Sequence, residues 1–100
     1  ALKQTRDGTL WVGTAEGLAS FDGDAFNIYD GAETEGLAGN KIRGLLEAED
    51  ETLWIGTPTG VSVLRDGEFR QIKGPSHIRN FAEAPDGQVW MIGASPFPTP

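Results

Sequence analysis

The residues that could do chemistry are few, and the single histidine is the first of them. His77 follows Ser76 directly. A nucleophile–base pair is a spatial arrangement with a third, orienting group, so adjacency in sequence does not create one. We expect His77 to lie in an exposed connector. Contact with a ligand is the alternative, because loops carry function more often than strands do.

Two arginines recur at a fixed distance. Arg43 and Arg79 each follow an isoleucine and lie 36 residues apart, and Glu47 and Glu83 recur at the same spacing. Guanidinium groups at such positions could bind an acidic ligand. The alternative is structural, in which each arginine pairs with the glutamate four residues after it.

An acidic run could bind a cation. Its members are Glu47, Glu49, Asp50 and Glu51, with Glu83 as a further carboxylate. Calcium takes about 6–8 oxygen ligands, but no Asp-x-Asp-x-Asp-Gly loop accompanies the run. In a strand, Glu47 and Glu49 share one face, and paired carboxylates can act as acid and base. A solvated strand edge is the simpler explanation, and we predict neither a metal site nor a catalytic site.

The segment 30–40 is rich in glycine and acidic residues and ends at Asn40. Long inserts between strands lie at the surface and can be shaped for binding. A variable loop without a ligand is equally compatible with this composition. The candidate ligand-binding residues are therefore Asn40, Arg43, His77 and Arg79.

Composition excludes several classes of function. The chain has 100 residues, enough for one small domain, and 15 acidic against 8 basic residues give a net charge of −7. Such a charge repels phosphate backbones and anionic lipids, so we expect no nucleic-acid partner. No apolar stretch approaches the ~20 residues of a membrane helix, so we expect no membrane insertion. The absence of cysteine excludes disulfides and cysteine nucleophiles, and no cofactor is expected.

The elements that must position these residues are repeats. Asp7-Gly-Thr-Leu-Trp-Val-Gly-Thr14 returns as Asp50-Glu-Thr-Leu-Trp-Ile-Gly-Thr57 and partly as Asp86-Gly-Gln-Val-Trp-Met-Ile-Gly93. The three tryptophans are 43 and 36 residues apart, a spacing typical of four-stranded propeller blades. A residue that recurs once per unit is expected to pack between units, although tryptophan could also stack on a sugar ring. The repeated structural residues are Trp11, Gly13, Thr14, Trp54, Gly56, Thr57 and Trp90.

Strands are predicted between turn signals. The dipeptide Asp-Gly, at 7–8, 22–23, 30–31, 66–67 and 86–87, favours two-residue hairpin turns. The predicted strands are 2–5, 9–14, 17–22 and 25–29 in the first unit, 42–48, 52–57, 61–65 and 68–72 in the second, and 77–83 and 88–93 in the third.

The predicted fold class is all-β, a β-propeller fragment of about two and a half four-stranded antiparallel blades. Its predicted organisation is blade 1 at 1–29, a connector at 30–40, blade 2 at 41–72, the two inner strands of blade 3 at 73–94 and a proline-rich tail at 95–100. We expect the prolines of this tail to cap the last strand edge, since proline cannot donate to a ladder.

These units resemble the two-component regulator propeller repeat, found in sensor portions of bacterial hybrid histidine kinases and related signalling proteins. The segments Asp50 through Val61 and Asp7 through Leu18 are similar to its aspartate turn, Leu-Trp-Ile-Gly-Thr and following Gly-hydrophobic pair. Gly36-Leu-Ala-Gly-Asn-Lys-Ile42 is similar to its connecting element. Glu51 and Ile92 stand where the repeat has glycine.

The resemblance implies a propeller with more blades than these, acting as a periplasmic or otherwise extracytoplasmic ligand sensor. Blades would form the scaffold, and loops on one face would bind a small molecule, often a saccharide. The missing blades would come from a longer parent chain or from a homo-oligomer. The alternatives are a structural or protein-interaction module, and part of a propeller lyase or lactonase, which would need a convergent catalytic cluster.

Overall fold

A computed structural model of the chain describes residues 1–31, 34–37, 39–72 and 76–95. Strands form where β-branched and aromatic residues alternate between turns, and no helix occurs within these ranges. The strands are β1 (Leu2–Gln4), β2 (Leu10–Gly13), β3 (Leu18–Phe21), β4 (Phe26–Tyr29), β5 (Gly44–Glu47), β6 (Leu53–Thr57), β7 (Gly60–Arg65), β8 (Glu68–Ile72), β9 (Ser76–Glu83) and β10 (Val89–Ser95).

The strands form three antiparallel sheets. Blade 1 is the sheet β1-β2-β3-β4, blade 2 is β5-β6-β7-β8, and blade 3, as far as the structure describes it, is the pair β9-β10. The all-β prediction of about two and a half four-stranded blades is therefore confirmed. Ser95 pairs with Ser76 at the end of β10, although the sequence places residue 95 in the tail. The prolines predicted to cap the last edge, in 96–100, lie outside the described residues.

The first turns of the three blades share one pattern of backbone hydrogen bonds. In blade 1 the backbone N–H of Gly8 donates to the carbonyl of Thr5, and that of Thr5 donates to Thr9. This is a three-residue loop, a type I turn followed by a residue with positive φ. The corresponding bonds close the loop Ala48–Thr52 in blade 2 and the loop Ala84–Gln88 in blade 3.

Two-residue hairpin turns are less frequent than the Asp-Gly pairs predict. The pair Asp66 (φ 52°) and Gly67 (φ 78°) forms one between β7 and β8. The prediction is wrong at 7–8 and 86–87, because the aspartate occupies the type I turn and its carboxylate accepts a backbone N–H two residues later. At 22–23 the loop is longer, since Phe21 pairs with Phe26.

The core lies between the sheets. Trp11 and Leu18 of blade 1 pack against Leu45, Leu53 and Ile55 of blade 2, and Leu37 and Ile42 join this cluster. A second cluster between blades 2 and 3 joins Val61, Ile78 and Phe81, with Trp54 and Met91 at its margin. Each sheet therefore buries a face against the next sheet, as stacked blades do.

Glycine sets the distance between blades. A Cβ placed on Gly56 of β6 would lie 2.7 Å from Cγ2 of Ile78, which belongs to the next blade. A Cβ on Gly13 of β2 would meet Ile42 in the same way. Since a side chain at either position would push the blades apart, these glycines permit the packing of isoleucine against bare backbone.

Candidate functional site

The meander topology places the candidate residues at one end of the blades. This end, which we name the connector end, contains the turns Thr14–Gly17 and Thr57–Gly60 and the starts of β5 and β9. The opposite end contains the β1–β2, β3–β4, β5–β6, β7–β8 and β9–β10 turns. It holds eleven of the fifteen carboxylates, and we name it the acidic end. These carboxylates are Asp7, Asp22, Asp24, Glu47, Glu49, Asp50, Glu51, Asp66, Glu68, Glu83 and Asp86.

The described part of the connector packs onto blade 2. Leu37 is buried in the first core cluster, and the carbonyl of Gly36 accepts a hydrogen bond from the Ser62 hydroxyl at 2.8 Å. A Cβ on Gly39 would contact the hydroxyls of Thr57 and Thr59. Leucine and glycine within a polar connector are therefore anchoring residues, and the burial of Leu37 was not among the predictions.

Asn40 closes the connector on itself. Its side-chain oxygen accepts a hydrogen bond from the backbone N–H of Gly31, which joins the two ends of the insert. The residue is half-buried. Two residues later, the backbone N–H of Ile42 donates to the carbonyl of Thr14 at 2.7 Å. Asn40 therefore positions the loop that borders the connector end.

Arg43 and Arg79 are exposed; Arg43 directly precedes β5, and Arg79 lies on β9. A Cβ on Gly44, next to Arg43, would lie 2.7 Å from Cα of Asn80 and 3.0 Å from the carbonyl of Arg79, so the two main chains touch. The register shifts at this point, because Ile92 pairs with Asn80 whereas Gly93 pairs with Ile78. Arg79 is the extra residue of this bulge, a feature that redirects a side chain.

The glutamates expected to pair with these arginines instead accept hydrogen bonds from backbone N–H groups of the preceding blade. Glu47 accepts a hydrogen bond from the backbone N–H of Arg6 at 2.9 Å, and its side chain is only 8% exposed. Glu83 accepts one from the backbone N–H of Glu49 at 2.7 Å. Recurrence of the glutamates therefore reflects a contact between blades, which leaves Arg43 and Arg79 at the surface.

His77 is exposed, as expected, but it lies within β9 and not in a connector. The strand extends this far because pairing continues beyond the bulge to Ser76 and Ser95. Its φ is 59°, and its backbone N–H donates to the carbonyl of Pro58 at 2.9 Å. Since Gly39 borders the same turn, the structure brings His77 and the end of the connector to one place on the surface.

The repeated tryptophans differ in exposure. Trp11 is 7% exposed and stacks on Tyr29 with ring centroids 5.9 Å apart. Trp54 is half-buried, 6.1 Å from the ring of Phe81, and its indole N–H lacks an acceptor among the described residues. Trp90 is 59% exposed on the outer face of blade 3. Exposure thus follows the amount of the next blade that is present.

The two Gly-Thr pairs close turns at the connector end. The Thr57 hydroxyl donates to the carbonyl of Gly60 at 3.0 Å and accepts from the backbone N–H of the same residue at 3.1 Å. Thr14 donates in the same way to the carbonyl of Gly17. These hydroxyls replace main-chain partners in the turns that border the candidate residues.

Hydrogen bonds favour the ionised form of three aspartates near the turns. The Thr5 hydroxyl, followed by the backbone N–H of Thr9, lowers the pKa of Asp7. Backbone N–H groups of Ala25 and Asp24 lower the pKa of Asp22. The backbone N–H of Thr52 is the main cause of the lowered pKa of Asp50.

The described residues place no three carboxylate or histidine side chains where they could hold a metal ion. The part of the chain that the structure describes also contains no helix long and apolar enough to cross a membrane.

Stacked antiparallel sheets with a glycine-mediated contact between blades define this chain as a β-propeller module. Residues 36–59 match the family model of the two component regulator propeller. The match begins at the anchored connector residues Gly36 and Leu37 and ends in the β6–β7 turn, and it confirms the resemblance over this stretch. No match to a curated protein was found.

Proposed function

We propose that this module belongs to a ligand-sensing β-propeller, in which the blades are scaffold and the connector end binds the ligand. The observation that carries this proposal is the placement of the four candidate residues. Gly39, the neighbour of Asn40, and His77 border the Thr57–Gly60 turn, and Arg43 and Arg79 lie on touching main chains at the same end. The match to a regulator propeller supports a sensing role and not a catalytic one.

Charge supports the choice of end. Lys41, Arg43 and Arg79 lie at the connector end, whereas most carboxylates lie at the acidic end. A small molecule or saccharide with an acidic group would be repelled less at the connector end than at the acidic end, and it could pair with the arginines there. The guanidinium groups can each donate two parallel hydrogen bonds to a carboxylate.

A thermal-shift screen against neutral and acidic mono- and oligosaccharides tests the proposal. A ligand that binds only the folded chain raises its unfolding temperature, and a concentration of 100 times Kd adds about 2.7 kcal/mol. The double variant Arg43→Ala/Arg79→Ala should lose the shift. Arg65→Ala/Arg70→Ala removes the same charge from other exposed positions and should retain it.

The outcomes separate the alternatives. A shift that survives Arg43→Ala/Arg79→Ala but disappears in the matched control would place binding away from the connector end. Failure of every compound in the panel to shift the unfolding temperature would favour the alternative of a protein-interaction module. An extracytoplasmic location is part of the proposal and is supported by the family resemblance.

We further propose that blade 1 is covered by another blade, from a parent chain or from a second copy. Its outward face exposes Leu2 and Phe26 at 68% and 63%, and the corresponding residues of blade 2, Leu45 and Phe69, pack on blade 1. Exposed apolar faces of this kind mark interaction surfaces. Light scattering at micromolar concentration should detect association of the isolated chain, and a monodisperse monomer would contradict this.

A further inference from the structure

The five Asp-Gly pairs of the chain share a chemical reactivity as well as a preference for turns. Glycine has no side chain, so its backbone nitrogen is open to the carboxyl group of the preceding aspartate. When the nitrogen attacks the carboxyl carbon, a C–N bond forms and a C–O bond breaks, and the amide hydrogen leaves with the carboxyl oxygen as water. A pair reacts slowly when hydrogen bonds hold its nitrogen or its carboxylate in place.

The pair in the first turn of blade 1 is held at both reacting groups. The backbone N–H of Gly8 donates to the carbonyl of Thr5 at 2.9 Å. The Asp7 carboxylate accepts the backbone N–H of Thr9 at 3.0 Å. The corresponding bonds hold the pair 86–87 in blade 3. Each of these pairs must therefore break two hydrogen bonds before it can react.

Two further pairs are each held at one group. The backbone N–H groups of Ala25 and Asp24 donate to the Asp22 carboxylate at 2.8 Å and 2.9 Å. They also lower its pKa, which disfavours the protonated carboxyl group that releases water most readily. In the connector, the N–H of Gly31 donates to the side-chain oxygen of Asn40. Folding therefore restrains four of the five pairs.

The pair Asp66-Gly67 is held at neither group. It forms the two-residue turn between β7 and β8, and both residues are exposed. Among the described residues, the Asp66 carboxylate accepts no hydrogen bond and joins no ion pair, and the N–H of Gly67 donates to no acceptor. A Cβ on Gly67 would have no atom within 4 Å, so the turn has space to rearrange.

We propose that Asp66 is the preferred site at which the folded chain converts aspartate to isoaspartate. Loss of water gives a cyclic imide that joins the Asp66 side chain to the nitrogen of Gly67. Water then adds to one of the two imide carbonyls. Addition at the α-carbonyl breaks its bond to the nitrogen and leaves the chain connected through the side-chain carbonyl. The water released in the first step is balanced by the water consumed in the second, and no other reagent is needed.

The modification changes the turn itself. Isoaspartate places one more carbon in the main chain between the paired residues Arg65 and Glu68. The unmodified turn depends on positive φ at two successive residues, 52° at Asp66 and 78° at Gly67, which matches the twist of the two strands. The longer turn loses this match, so the β7–β8 hairpin should be less stable after modification. The turn lies at the acidic end, and the inference is therefore independent of the proposed ligand.

Peptide mapping of the unchanged chain tests the proposal. Cleavage after lysine gives the peptides 4–41, 42–73 and 74–100, which contain three, one and one of the Asp-Gly pairs. The chain is incubated in warm, mildly acidic buffer, once folded and once unfolded in guanidinium chloride. A methyltransferase specific for isoaspartate then labels each peptide, and electron-transfer fragmentation locates the modified residue. The folded chain should carry more than half of its isoaspartate at residue 66, whereas the unfolded chain should carry most of it in 4–41.

A pair of asparagine variants supplies the matched control. Asp7 and Asp66 both lie in the sequence Arg-Asp-Gly, so their local chemistry is the same and only their hydrogen bonds differ. In Asp66→Asn and Asp7→Asn the same imide forms with loss of ammonia, and mass spectrometry follows the reaction directly. Folded Asp66→Asn should react at least about fivefold faster than folded Asp7→Asn, the factor for one hydrogen bond of ordinary net strength. In guanidinium chloride the two rates should agree.

Three results would overturn the proposal. The first is a folded chain in which isoaspartate has the same distribution as in the unfolded chain. The second is a folded chain that forms no isoaspartate in 42–73 while the unfolded chain does. The third is equal reaction rates of the two folded asparagine variants, since hydrogen bonds would then not control the reaction. If either variant does not fold, the peptide map of the unchanged chain decides alone.

Discussion

The Glu83 carboxylate of blade 3 accepts a hydrogen bond from the backbone N–H of Glu49 in the first turn of blade 2. Glu47 of blade 2 makes the same contact with Arg6 of blade 1. The residue of blade 3 that corresponds to Arg6 and Glu49 is Pro85, which has no N–H to donate. The contact therefore joins blade 1 to blade 2 and blade 2 to blade 3, and blade 3 cannot offer it to a further blade.

Glu47→Ala should lower the free energy of unfolding by about 1.5–3 kcal/mol, because the N–H of Arg6 loses a charged, largely buried acceptor. Glu47→Gln retains an oxygen acceptor and should cost less. Glu68→Ala is the control, since this side chain is 76% exposed in a surface ion pair worth at most about 1 kcal/mol. Urea denaturation measures all three, and equal losses for Glu47→Ala and Glu68→Ala would contradict the role of the contact.

The tryptophan-to-alanine variants should follow burial. Trp54→Ala should cost roughly 3–5 kcal/mol, because it removes the ring that packs on Phe81, and Trp11→Ala should cost at least as much. Trp90→Ala should cost much less, since 59% of that residue is exposed. Thermal and urea unfolding of the three variants give the order. Undiminished stability of Trp54→Ala would disprove its packing role.

Glu51→Gly should raise the unfolding temperature. Glu51 has φ 70° at the turn position where Gly8 has 91° and Gly87 has 90°, and glycine adopts this conformation without steric cost. The expected gain is about 0.5–1 kcal/mol. Gly8→Ala is the reciprocal control. No atom lies within 4 Å of the added Cβ, so any loss comes from the backbone alone. A lower unfolding temperature for Glu51→Gly would show that the carboxylate has a stabilising contact.

Gly56→Ala should destabilise the chain by about 1–3 kcal/mol, because its Cβ would lie 2.7 Å from Ile78 Cγ2. Ile78→Ala removes that methyl group and so relieves the closest of the contacts of the new Cβ. The double variant should therefore be more stable than the sum of the two single effects predicts, by at least about 0.5 kcal/mol. A double-mutant cycle in urea measures this coupling. Simple additivity would mean that the Ile78 side chain does not cause the loss of stability in Gly56→Ala.

Stability should fall in acid because of the turn aspartates. The folded-state pKa values of Asp7, Asp22 and Asp50 lie below the ordinary value of 3.8, so the ionised form is favoured by folding. Their contribution is present above pH 3.8 and is lost as the pH falls through the folded values. Asp7→Asn/Asp50→Asn retains an acceptor oxygen at each position but does not titrate. The free energy of unfolding of this variant, measured by urea denaturation at several pH values, should therefore fall less steeply in acid than that of the unchanged chain.

The sequence by itself determined the elements and their order. The spacing of the three tryptophans predicted which strands correspond between the repeats, and the turn aspartates predicted where the first loop of each blade lies. The backbone strain at Glu51 was also predictable, because the glycines of the other two repeats mark its position as one of positive φ. These features depend on local chemistry, which neighbouring residues specify.

Only the tertiary structure decided which side chains meet between blades. A glutamate such as Glu47 can pair with an arginine four residues away or reach a turn about 40 residues earlier, and the stacking of the sheets makes the choice. The same stacking buries Leu37 of a polar connector and leaves Trp90 exposed while its repeat Trp11 is buried. The sequence shows which side chain recurs at the same position of each repeat. Whether its face is covered depends on how much of the next blade is in place.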